Sequence, residues 1–223
     1  MKKTTAVIMT ICIVLIGSGV AFAMTNNDIS NIFFRAGQIE RENLNANSNY
    51  TSSDSLSSTA YFVKNNDFTI LESEITKIDE QYKLTGIQDG RECAIKFLLK
   101  REILYTEALA QGFYASDKEV RALVEQNITA ARTAENYESD FNQFLNAIGM
   151  TDVEYWESQY DVFKKEIAIS KLVSAEHESI VAKSRLADQE MIQNSVQKYL
   201  DEVVDDYIKA NDLQWTIYPP DQP

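Results

Sequence analysis

Beyond residue 75, apolar side chains recur every three or four positions, the period of helices packed on other helices. A helix opening at Thr76, with Asp79 as its capping partner, is expected to run to Leu84, ahead of Gly86 and Gly90. Arg91 to Gln111 is apolar almost all round, with Lys96, Lys100 and Glu107 as a narrow polar stripe, which predicts a central, mostly buried helix. After Gly112, Ser116 and Glu119 form an S-x-x-E capping box, opening a helix whose inner face is Val120, Leu123, Val124, Ile128 and Ala131. Phe141, Phe144, Leu145 and Ile148 predict a short helix stopped by Gly149. Thr151 and Glu154 repeat the capping box, with Met150 and Tyr155 placed to staple it, and Val153, Trp156, Tyr160, Phe163 and Ile167 then mark one packed face. No Gly or Pro separates Gly149 from Pro219. Two long helices fit that span, with a weakly patterned joint near Lys183 to Ser195, and the second carries Val196, Leu200, Val203, Val204, Tyr207 and Ile208.

Two stretches alternate instead. Tyr61 to Leu71 reads as a hairpin around Asn65-Asn66 or as a single extended strand, and LQWTIYPP near the end has a β-like pattern. The expected fold is therefore mainly α: a multi-helix domain with a small β element formed by N- and C-terminal strands. Phe68 to Leu71 would pair with Trp215 to Tyr218, and the last helix would pack near Ile95 and Leu99.

Upstream, two lysines, an apolar run from Ala6 to Val20 and the motif Ala21-Phe22-Ala23 have the layout of a secretory leader, with Ala21 and Ala23 as the signal-peptidase motif. An uncleaved anchor is the rival, and Gly17 and Gly19 favour cleavage. Either way the remaining chain is expected outside the cytoplasm, secreted or tethered to the outer face of the cell membrane. The expected division is a leader over 1–23, a flexible Asn/Ser-rich tether over 24–60 with a short helix at 28–42, the helical domain over 61–218, and a tail over 219–223.

Charge narrows the partners. Lys+Arg number 21 and Asp+Glu 34; without Lys2 and Lys3 the balance is 19 against 34, a net charge of −15. Such a surface repels phosphate backbones and anionic headgroups, so nucleic acid is excluded and membrane contact is expected only through the N-terminal segment. Cys12 lies in the leader, which leaves Cys93 alone and the mature chain without an internal disulfide. The single histidine, His177, stands among charges on a helix, so neither a zinc site nor a His-containing triad can be assembled, and there is no phosphate-binding glycine loop. No cofactor, no metal and no catalytic residue is expected. The aromatic stripe offers a different chemistry: Tyr155, Tyr160 and Phe163 could line a groove for apolar peptide segments, although the neighbouring Trp156 reads as core.

These residues also carry a family pattern. Glu107-Ala108, Gly112, Ser116 to Val120, Phe141 to Leu145, Gly149 to Thr151 and Glu154 to Trp156 together resemble the N-terminal chaperone domain of the SurA and PrsA foldase family. Phe68 to Thr76 is similar to that family's opening strand and helix start, with Glu72-Ser73 in place of the usual Asn-Gly turn. The similarity runs from Phe68 to Ala175 and extends through KANDLQWTIY to Tyr218. Family members that isomerise proline bonds carry a glycine-rich parvulin module with histidines, where this chain has only the short polar joint from Lys183 to Ser195. The resemblance implies an ATP-independent chaperone or holdase that binds unfolded or extended segments of exported proteins and is not an enzyme. The alternative is an envelope interaction module docking one defined protein partner, and a peptidyl-prolyl isomerase comes third.

Overall fold

The computed structural model describes residues 29–51, 61–84, 86–133, 140–183 and 189–213. Among them are eight helices and two strands: α1 (Ile29–Thr51), β1 (Tyr61–Lys64), β2 (Thr69–Leu71), α2 (Glu72–Leu84), α3 (Gly90–Ala110), α4 (Asp117–Arg132), α5 (Asn142–Ile148), α6 (Asp152–Ser158), α7 (Tyr160–Lys183) and α8 (Gln189–Ala210). The protein is mainly helical with one small antiparallel sheet. The leader with Ala21 and Ala23, the Trp215 to Tyr218 segment and the tail lie outside the described residues.

Local signals place several boundaries. Both capping boxes form: the Ser116 and Thr151 hydroxyls accept from the Glu119 and Glu154 backbone N–H groups, and the glutamates reach back to the cap N–H. Gly112 and Gly149 sit at φ +83° and +81°, a left-handed conformation that costs a residue with a Cβ about 1 kcal/mol and lets the helix close. The Gly149 N–H then donates to the Leu145 carbonyl at 2.9 Å.

Packing divides into three clusters. Phe141, Phe144, Tyr155, Trp156 and Phe163 join the inner face of α4 in the first. The second sets Val63, Phe68 and Ile70 of the hairpin against Ile75, Ile78, Ile95, Leu98, Leu99 and Ile103. The third gathers Leu104, Ala108, Ala168, Leu172, Val196 and Leu200. The central helix α3 supplies buried residues to the last two, as its all-round apolar pattern predicts. Val203, Val204, Tyr207 and Ile208 of α8 pack on the cluster that holds Ile95 and Leu99, as expected.

Four expectations need correcting. The sheet among the described residues is the β1–β2 hairpin, pairing Val63 with Ile70 and Lys64 with Thr69, and not a pairing of chain ends. Its turn is held by the Asn65 side chain, whose Oδ1 accepts from the Asp67 and Phe68 N–H groups at 2.9 and 2.8 Å. The two ends still meet, through side chains: the Tyr207 hydroxyl donates to Asp67 and accepts from Asn65 Nδ2. Second, the helix expected at Thr76 begins at Glu72; the Thr76 hydroxyl donates to the Glu72 carbonyl, and Glu74 takes the capping role by accepting from the Leu71 N–H. Third, the face from Val153 to Ile167 is not one helix. The chain turns at Gln159 between α6 and α7, and Val153 is exposed. Fourth, the helix expected over 28–42 is present but runs on to Thr51 through residues read as tether, and it is part of the fold: Phe33 and Ala36 enter the first cluster. Nothing from Gln38 to Thr51 is Gly or Pro, so a helix anchored by those two residues propagates at a cost of only tenths of a kcal/mol per Asn or Ser.

Candidate functional site

The aromatic residues singled out in the sequence are not a surface. Tyr155 and Phe163 are buried, which corrects their assignment to a peptide groove, and Tyr160 is half-buried. The rings around them interlock: Trp156 lies 5.6 Å from Phe141, 6.1 Å from Phe163 and 5.1 Å from Tyr155 between centroids, and Phe144 meets Tyr155 edge-on. Offset and edge-to-face pairs of this kind add to the area term, so the cluster is a core first. Burial, with Glu40 of α1 nearby, pushes the Tyr155 hydroxyl far above the ordinary tyrosine range. The Tyr160 hydroxyl donates to Asp117 at 2.7 Å, which raises its pKa and ties α7 to the first turn of α4.

Open apolar surface is found on the hairpin of α7 and α8. From Val173 to Lys183 and from Gln189 to Ser195 no side chain is fully buried. The helices are 24 and 22 residues long and joined by a short connection, so they pair as an αα-hairpin whose outer parts form an arm. Ile169, Val173, Ile180 and Tyr199, with Tyr105 and Phe113 at its base, are only half-covered, and Val181 and Met191 near its end are 43 % and 59 % exposed. Val181 and Met191 sit on either side of the joint that the sequence marks as weakly patterned.

The base of the arm is fastened by charge. Glu102, 3 % exposed on α3, accepts from Arg101 at 2.9 Å with one oxygen and from Lys165 of α7 at 2.5 Å with the other. The same lysine lies over the Tyr105 ring at 5.6 Å. Next to it, burial raises the Glu166 carboxyl to about 7 against the opposing pull of Arg101. On the other flank Lys171 pairs with Glu119 at 2.7 Å and donates to the Tyr114 carbonyl, and with the Ser116 cap it holds the Glu119 carboxyl down to about 2. Sequence reading passed over Glu102 and Lys165. The available signal was a carboxylate lying off the polar stripe of an otherwise apolar helix.

His177 is exposed on the outer half of α7. Among the described residues no group of three or more His, Cys, Asp or Glu is arranged to hold a metal ion, and no helix is long and apolar enough to cross a membrane. No family model, no curated protein and no solved structure matches this chain.

Proposed function

We propose that this chain is an extracytoplasmic, ATP-independent holdase that keeps unfolded or extended segments of exported proteins from aggregating. The observation that carries this reading is the α7–α8 arm, whose apolar side chains stay half-open above a base fastened by the Glu102–Lys165 and Glu119–Lys171 ion pairs. Extended segments of many sequences can lie on such a surface, because apolar contact is non-directional. The acidic exterior, with a net charge of −13 for the whole chain, keeps a loaded complex dispersed. Release follows from weak, multivalent contact and from folding of the client. The family resemblance of Glu107 to Trp156 supports the same reading, and the leader ending at Ala23 would deliver the chain to exported clients.

Full-length mature protein is added to several unrelated refolding clients and, separately, to a prolyl-peptide exchange assay. It is expected to slow aggregation of most clients and to leave X-Pro exchange at its uncatalysed rate, since lowering a barrier of ~18–20 kcal/mol takes a preorganised site around the twisting bond. Accelerated exchange, or protection of no client, contradicts the reading.

A further inference from the structure

The outer half of the arm carries more than apolar surface. Ile169, Val173 and Ile180 of α7 are half-open and fall on one stripe of the helix, separated by steps of four and seven residues. Glu176 takes a position on that same stripe, three residues after Val173 and four before Ile180, and it is half-buried there. It makes no ion pair among the described residues. Glu178 and Glu190, exposed three residues before Val181 and one before Met191, make none either.

Cations on this part of the arm are few. Lys183 is exposed two helical turns beyond Glu176, Lys198 lies 3.6 Å from Glu202, and Lys165 and Lys171 are engaged at the base by Glu102 and Glu119. His177 is exposed next to Glu176. A purely apolar segment laid across Val173 and Ile180 strips Glu176 of its hydration, and a carboxylate covered without a cation or donor is costly. A segment that brings a lysine or arginine to the same place replaces the lost hydration with a charge-assisted hydrogen bond. An acidic segment instead meets repulsion from Glu176, Glu178 and Glu190.

We infer that the arm is selective among unfolded clients: its preferred occupant is an extended apolar segment that carries a lysine or arginine, with Glu176 as the central counter-charge and Glu178 and Glu190 at the rim. This inference rests on the holdase reading above and adds the chemistry of the client to it. Apolar contact supplies affinity and is indifferent to sequence, whereas charge decides which apolar segments are held. Arginine is the better of the two cations, because its planar fork meets a carboxylate through two parallel hydrogen bonds. The preference is local. The net charge of −13 attracts any basic peptide, but that attraction is screened within about 8 Å at physiological ionic strength, and contact at a half-buried carboxylate is screened much less.

The test uses the full chain and fluorescein-labelled peptides of one apolar sequence, carrying arginine, glutamine or glutamate at the same two positions. At physiological ionic strength the arginine peptide should bind about tenfold more tightly than the glutamate peptide, with the glutamine peptide between them. Glu176→Gln should weaken the arginine peptide about threefold and should not weaken the glutamine peptide. Glu80→Gln removes the same charge from an exposed position on α2, which packs on α1 and α3, and should leave all three affinities unchanged. Equal affinity for the three peptides, or an effect of Glu80→Gln as large as that of Glu176→Gln, overturns the selectivity and leaves the holdase reading standing. If no peptide binds, the arm is not a client surface, and this inference falls together with that reading.

Discussion

Replacing Trp156 with alanine is expected to destabilise the protein by about 3–5 kcal/mol, the range for deleting a fully buried large aromatic side chain. The indole is 1 % exposed and stands between Phe141, Tyr155 and Phe163, where α6 turns into α7. Collapse into the space is resisted on each of those sides by another ring. Trp156→Phe should cost much less. The indole N–H has no hydrogen-bond partner among the described residues, so removing it relieves an unsatisfied buried donor while most of the ring contact is kept. Urea unfolding followed by circular dichroism measures both, and a Trp156→Ala loss below about 1 kcal/mol would mean that this cluster does not form.

The second large effect is expected at Glu102. Alanine there leaves the Arg101 and Lys165 cations at the α3–α7 contact without the carboxylate that serves both. Removing one partner from a buried charge network costs about 3–5 kcal/mol, and the low end applies because the Lys165 side chain retains 28 % exposure and can recruit water. Lys165→Met in the Glu102→Ala background should recover part of the loss, since it removes a stranded charge and supplies apolar contact. If the double variant is no more stable than Glu102→Ala alone, the two residues are not coupled in this way.

How much of this was legible from sequence depended on the range of the interaction. The capping boxes at Ser116 and Thr151 and the glycine stop at Gly149 are written within four residues, and they form as read. The all-round apolar pattern of α3 and the apolar stripe of α8 run longer but are still local to one segment, and they too pack as expected. What periodicity could not separate was a stripe facing the core from one facing a client. Tyr155 and Phe163 have the spacing of either, and only the placement of the facing helices puts them inside. The break at Gln159 left no Gly or Pro behind; the Ser158 hydroxyl, donating to the Tyr155 carbonyl at 2.6 Å, competes locally with the helix ladder. Helix α1 was legible only in part: a short helix is expected over 28–42, whereas its continuation to Thr51 and its packing on the fold are not. Its polar second half has the composition of a tether, and its entry into the fold rests on Phe33, Ala36 and a close approach at Gly37 that only the tertiary structure displays. The charged base of the arm was hidden for the same reason, because Glu102 and Lys165 are 63 positions apart in the chain.

The central claim is that the α7–α8 arm holds unfolded chain. Val181 and Met191 are exposed near its end, so a Val181→Ser, Met191→Ser variant of the full chain should unfold within about 0.5 kcal/mol of the wild type. The deciding measurement is client aggregation in the presence of each protein at equal concentration. The account predicts that the double variant loses most of the protection given by the wild type, and undiminished protection by a variant of unchanged stability would contradict it.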